Sequence, residues 1–163
     1  ISTAAQAQAM VDSIKYYPRG KRGVGLQMAH DNYRGAPVAE ALKNANDRTA
    51  VICLIETAEG AANADAIASI PDVDCLWVGH FDLSVSLGIP GQFDHPTFQD
   101  AMSSIISAAK KHGKSLGRLV PTAEQGISFY RQGFNFICYS GDVWVLRDGL
   151  AAAVNTIRHG VIR

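Results

Sequence analysis

The sequence predicts an α/β fold built on a parallel sheet, and three observations carry that prediction. Short apolar runs at 51–55, 75–79, 115–120 and 134–139 have the length and character of buried strands. Longer segments between them place apolar residues at helical spacing. No hairpin signal joins two of the runs, so each strand returns by a right-handed crossover that makes neighbours parallel.

The elements follow in order. Ser2 to Tyr16 spaces Ala5, Ala9, Met10 and Ile14 as a helix does, with Ser2 or Thr3 as cap, and Pro18 and Gly20 end it. Arg19-Gly20-Lys21-Arg22-Gly23-Val24-Gly25 is a Gly-rich basic turn with a candidate short strand, and 26–36 a loop. Pro37 suits the first turn of a helix running to about Asn46. Strand 51–55 leads to a helix near 60–69, and strand 75–79 to a loop containing Gly88, Pro90 and Gly91.

A helix from Pro96 to about His112 carries the stripe Phe98, Met102, Ile105, Ile106 and Ala109. After strand 115–120, Thr122 and Gln125 make a capping-box pattern for a helix to about Gln132. Strand 134–139 follows, and Asp142 caps a last helix with Leu146, Leu150, Val154 and Ile157 on one side. A closed barrel of eight strands needs about 250 residues. Two architectures therefore stand: an open doubly wound sheet of five strands, or the later part of a (β/α)8 barrel.

Composition narrows the partners. Lys plus Arg equals Asp plus Glu at 15 each, and this balance gives no basic excess for a nucleic acid or an anionic membrane. No apolar stretch is long enough for a bilayer span, and Ile1-Ser2-Thr3-Ala4 does not open a secretory signal. Cys53, Cys75 and Cys138 form no CxxC pair. They are read as small buried thiols in a reducing, cytoplasmic setting.

Two carboxylates stand out. Val51–Ile55 runs into Glu56, and Cys75–Gly79 runs into His80-Phe81-Asp82. Active sites of α/β folds gather at the carboxyl ends of strands. Two acids held close there repel unless a cation lies between them, and a hard divalent ion fits. The alternative is that each caps the next helix or turn. The basic turn at 19–25 either cradles an anion through backbone amides or is a plain turn. His80 is a ligand, an acid/base or a loop residue.

Three motifs in order and spacing carry a resemblance: Tyr17-Pro18-Arg19-Gly20-Lys21-Arg22-Gly23-Val24-Gly25, Ile55-Glu56-Thr57, and Gly79-His80-Phe81-Asp82-Leu83-Ser84 with Leu87-Gly88. Over essentially its whole length the chain resembles the HpcH/HpaI class II pyruvate aldolases. The resemblance implies a (β/α)8 TIM barrel of which residues 1–163, a single domain, hold the later strands and helices. It implies metal ligation of Mg²⁺, Mn²⁺ or Co²⁺ by Glu56 and Asp82. The implied reaction is cleavage of a 2-oxo-4-hydroxy acid to pyruvate and an aldehyde, through a metal-stabilised pyruvate enolate. Substrate contacts fall on Leu54, the Phe81 backbone and Asp82.

The chain also departs from the family pattern. Leu54 stands where the family often has Gln, and His80-Phe81 replaces a common Pro-Ala or Pro-Asn pair, adding bulk beside the metal. The family's histidine base, its supporting aspartate and its pyruvate-binding arginine belong to strands preceding Ile1, so they fall on no residue here. The sequence is therefore expected to be part of a longer polypeptide, with the isolated 163 residues binding metal weakly and not catalysing aldol chemistry. The resemblance further implies a homo-oligomer, a hexamer with an exchanged last helix. Two other readings stand beside it: a citryl- or malyl-CoA lyase-like enzyme, and a non-catalytic barrel module for binding or assembly.

Overall fold

The computed structural model describes residues 1–161. Its contacts cluster into two compact units, Ile1–Gly117 and Arg118–Arg163. Helices and strands alternate as expected, and the strands are hydrogen-bonded in the order β1-β2-β3-β4.

In the first unit, α1 (Ala4–Ile14) starts at Thr3, whose side chain accepts from Gln6 N while Gln6 reaches back, a full capping box. The buried Lys15 follows, and its ammonium donates to the carbonyls of Asn46 and Thr49 at the end of α2 (Val38–Arg48). Cations suit a helix C-terminus, where carbonyls lack partners. Asn46 completes the join, accepting from Tyr16 N at 2.7 Å and donating to Tyr16 O at 2.9 Å. Gly20 lies against the Lys15 carbonyl, where any Cβ would collide. The candidate short strand in the turn 19–25 does not form, and a 3-10 turn at Ala29–Asp31 interrupts the loop.

β1 (Ile52–Ile55) pairs parallel with β2 (Cys75–Val78), and β2 with residues 115–117 of β3 (Ser115–Val120). Cys53, Ile55, Leu76, Val78 and Leu116 are buried. α6 (Pro96–Lys111) packs against β2 and against α4 (Ala64–Ala68), and Met102, Ile105 and Ala109 of α6 and Ile67 of α4 are buried. Ile52 and Leu54, of opposite parity, are about a third exposed.

Two sequence expectations change here. The helix near 60–69 is two short ones, α3 (Ala58–Ala62) and α4, divided at Asn63, whose amide nitrogen donates to Ser2 O at 2.8 Å. The segment after β2 is not a loop but a helix, α5 (His80–Ser86), ended by Gly88 at φ +75°. Gly79 caps it without a side-chain bond, so the usual start signal is missing from the sequence.

In the second unit, Thr122 caps α7 (Ala123–Arg131) by accepting from Gln125 N at 3.2 Å. Phe134 is fully buried edge-on to Phe129 just before β4 (Phe136–Tyr139). Arg118 is 7% exposed, with its guanidinium 3.7 Å above the Phe129 ring and its Nε unpartnered. Burial without a counter-ion pulls its pKa down to about 10. The last helix, α8 (Asp142–Val161), leaves Leu146, Leu150, Val154 and Ile157 exposed. No helix among the described residues is long and apolar enough to cross a membrane.

Candidate metal centre

Strand register decides where Glu56 sits. Ile55 and Val78 are the last paired positions of β1 and β2, so Glu56 stands beside Gly79 at the carboxyl ends. A Cβ on Gly79 would lie 2.8 Å from Glu56 Cβ, 3.1 Å from Glu56 Oε2 and 3.2 Å from Leu54 Cδ1. The glycine thus makes room for the Glu56 side chain at the end of β2, where α5 begins. Asp82 occupies the first turn of α5, where the partial positive charge of free amides favours a carboxylate.

Capping does not account for Glu56. The cap of α3 is Thr57, whose Oγ1 accepts from Gly60 N at 2.9 Å and meets Ser2 Oγ at 2.7 Å. Glu56 is half-buried and Asp82 exposed. Among the described residues neither carboxylate takes part in a hydrogen bond or an ion pair. Glu56 follows β1 and Asp82 lies in the first turn of α5, and a hard cation accepts one or two such carboxylates and fills its other positions with water and substrate oxygen. No group of three or more His, Cys, Asp and Glu that could hold an ion occurs among the described residues. As oxygen donors, Glu56 and Asp82 are of the chemical kind that hard divalent cations accept.

The other predicted positions separate. Leu54 flanks Gly79 with an aliphatic carbon and brings no polar side-chain group. The Phe81 ring is 62% exposed. His80 joins an aromatic cluster, its ring 4.5 Å from Phe81 and 5.4 Å from Phe93. The basic turn is committed elsewhere: Arg19 pairs with Asp72 and Asp47, Lys21 with Asp12 at 2.5 Å, and Arg22 lies 4.7 Å over the Tyr16 ring. A plain turn describes it.

Sequence reasoning passed over two residues. Gly79 was read as the last residue of the run 75–79, but β2 ends at Val78, which puts Gly79 beside Glu56. Phe93 gave no local signal, since it reaches the site only by folding of the 88–95 loop.

The thiols of β1 and β2 are buried, Cys53 fully and Cys75 to 2% exposure. Burial pushes both up, Cys75 to about 12, so neither is a nucleophile at neutral pH.

Comparison with known proteins bears on the family and the fold. Residues 1–148 match the family model described as HpcH/HpaI aldolase/citrate lyase. The chain is 32% identical over 158 residues to a 5-keto-4-deoxy-D-glucarate aldolase of Shigella boydii, covering 97% of this chain and 61% of that protein. It is 34% identical over 157 residues to a hydroxypyruvate/pyruvate aldolase of Chromohalobacter salexigens, covering 96% and 60%. The crystal structure of an HpcH/HpaI aldolase from Desulfitobacterium hafniense superposes with a TM-score of 0.88 at 29% identity, over 97% of this chain and 61% of that one. The chain thus spans about three fifths of the length of these relatives, and its fold is that of part of their (β/α)8 barrel.

Proposed function

The chain belongs to the HpcH/HpaI aldolase/citrate lyase family, and from that premise we propose that the protein is a metal-dependent aldolase. It cleaves a 2-oxo-4-hydroxy acid to pyruvate and an aldehyde, or joins the two in reverse. One observation carries the reading: Gly79 leaves space for the Glu56 carboxylate beside the helix that bears Asp82, and both acids lack protein partners.

Glu56 and Asp82 would hold a divalent cation, with Mg²⁺, Mn²⁺ or Co²⁺ as the candidates. When bound, the cation supplies Lewis acidity for the negative charge that develops on the keto oxygen of the pyruvate half. The residues of this chain do the positioning. The first-turn amides of α5, including that of Phe81, have no helical acceptor and favour the pyruvate carboxylate. Leu54 borders the same space with an aliphatic side chain. In cleavage the C3–C4 bond breaks, the C4 hydroxyl gives up its proton, and C3 takes the electron pair and regains a proton as the pyruvate methyl. The base that moves these protons is assigned to no residue here.

The exposed α8 residues Leu146, Leu150, Val154 and Ile157 support assembly into a homo-oligomer through that helix.

Deuterium exchange into the methyl group of pyruvate tests the reading without requiring the right aldehyde. The complete protein should exchange with Mn²⁺ and stop with chelator, and Glu56→Ala and Asp82→Ala should each abolish the metal-dependent rate. Exchange retained in both variants would remove the metal assignment.

A further inference from the structure

The loop between α5 and α6 is tied to the metal-side helix by one buried residue. Ser84 is fully buried on α5. Its Oγ donates to Phe81 O at 2.6 Å and accepts from Gly91 N at 2.9 Å, while its carbonyl accepts from Ile89 N at 2.9 Å. Three bonds from a single serine thus fasten residues 89 and 91 to the first turn that carries Phe81 and Asp82. The hydroxyl is used in both directions, as donor and as acceptor, which no aliphatic residue of that size could reproduce.

The fastening sets the place of Phe93. Its ring lies edge-on to Phe81, to His80 and to Phe98, each pair with centroids 5.4 Å apart. Phe98 is 3% exposed and belongs to the core, so the chain of rings runs from the core outward to Phe81, which is 62% exposed. Edge-to-face geometry is the favourable arrangement for such rings. The outcome is a row of packed rings that ends at Phe81, the residue directly before Asp82 in the chain.

Resting on the aldolase reading, we propose that Ser84 is a positioning residue and that the wall it holds, Phe81 with Phe93 behind it, selects acceptor aldehydes with an apolar substituent. A wall of carbon offers a hydroxylated or anionic chain no hydrogen-bond partner, so such acceptors lose hydration without compensation there. An alkyl chain instead buries its surface against the rings. Ser84 acts through the loop and touches no reacting atom.

The test compares aldol addition of pyruvate to pentanal and to glyceraldehyde, in the complete protein with Mn²⁺. In each addition the pyruvate methyl carbon loses a proton and bonds the aldehyde carbon, and the aldehyde oxygen gains one. The readout is the ratio of kcat/KM for the two aldehydes, in which any loss of folded or metal-loaded protein cancels. The wild type should favour pentanal. Phe93→Leu and Ser84→Ala should each lower the ratio by about tenfold, the scale of a hydrophobic-pocket contact, and Ser84→Thr, which keeps the hydroxyl, should restore most of it. A ratio within about twofold of wild type in Phe93→Leu would overturn the wall. A shifted ratio in Phe93→Leu with an unshifted one in Ser84→Ala would overturn the positioning role. Absence of metal-dependent pyruvate exchange in the wild type would instead sink the aldolase reading, and the proposal with it.

Discussion

A glycine rather than an acid makes the most exacting demand at the residue scale. Gly79 has φ −86° and ψ 81°, which alanine can also adopt, so its requirement is one of space and not of backbone conformation. A methyl group there would press on Glu56 Cβ at 2.8 Å and on its carboxylate at 3.1 Å. Gly79→Ala should therefore leave the fold intact and weaken Mn²⁺ binding by about tenfold or more, as displaced ligand support does at metal sites. Titration followed by Mn²⁺ paramagnetic resonance measures it, and unchanged affinity would show that Glu56 does not need that space. The thiols give a second prediction. Because burial raises Cys53 and Cys75, iodoacetamide near neutral pH should label Cys138 in the native protein and spare the other two. Mass spectrometry of labelled peptides reads the result directly.

At the scale of elements, sequence pattern and structure agree where a helix has one strong apolar face. The stripe of α6 is buried at Phe98, Met102, Ile105 and Ala109, as its spacing implies, with Ala108 joining and Ile106 only half-buried. Ile105→Ala should cost about 2–5 kcal/mol in chemical denaturation, because a fully buried branched side chain leaves a cavity. The α4–α6 contact carries a pH term. Asp65 lies below the usual carboxylate range, first because Lys111 donates to it at 2.8 and 3.0 Å, then because His112 lies at 2.9 Å. A carboxyl lowered on folding stabilises above its ordinary value of 3.8 and loses that contribution as pH falls through the folded value. Asp65→Asn should thus shrink the difference in denaturation midpoint between about pH 7 and about pH 3, where the wild type loses the most.

Elements without such patterns were hidden. The helix α5 has two turns, a glycine cap and no polar start signal, so its residues look like a loop in one dimension. At the break, Asn63 bonds to Ser2 from 61 residues away, a contact that no local pattern records. The residues of the candidate site divide in the same manner. Glu56 and Asp82 were visible because strand ends are marked by the close of an apolar run. Phe93 was not, since its place is set by the Ser84 bonds and by ring packing.

For the whole molecule, the parallel pairing of β1, β2 and β3 and the alternation of helix and strand were legible from the order of apolar runs. The surroundings of α8 were not. Its stripe would have served a core as well as an interface, and in the structure its apolar side chains are exposed. If the helix joins copies of the protein, Leu146→Glu combined with Leu150→Glu should lower the mass measured by light scattering to that of a smaller assembly while helical content persists. An unchanged mass would leave assembly to another surface.

The claim beneath all of this is that Glu56 and Asp82 share one cation. Anomalous diffraction from a crystal of the protein grown with Mn²⁺ and pyruvate tests it most directly. A single manganese peak should appear, with an oxygen of each carboxylate within about 2.5 Å and pyruvate beside it. A peak held by only one of the two acids, or manganese bound elsewhere in the chain, would contradict it.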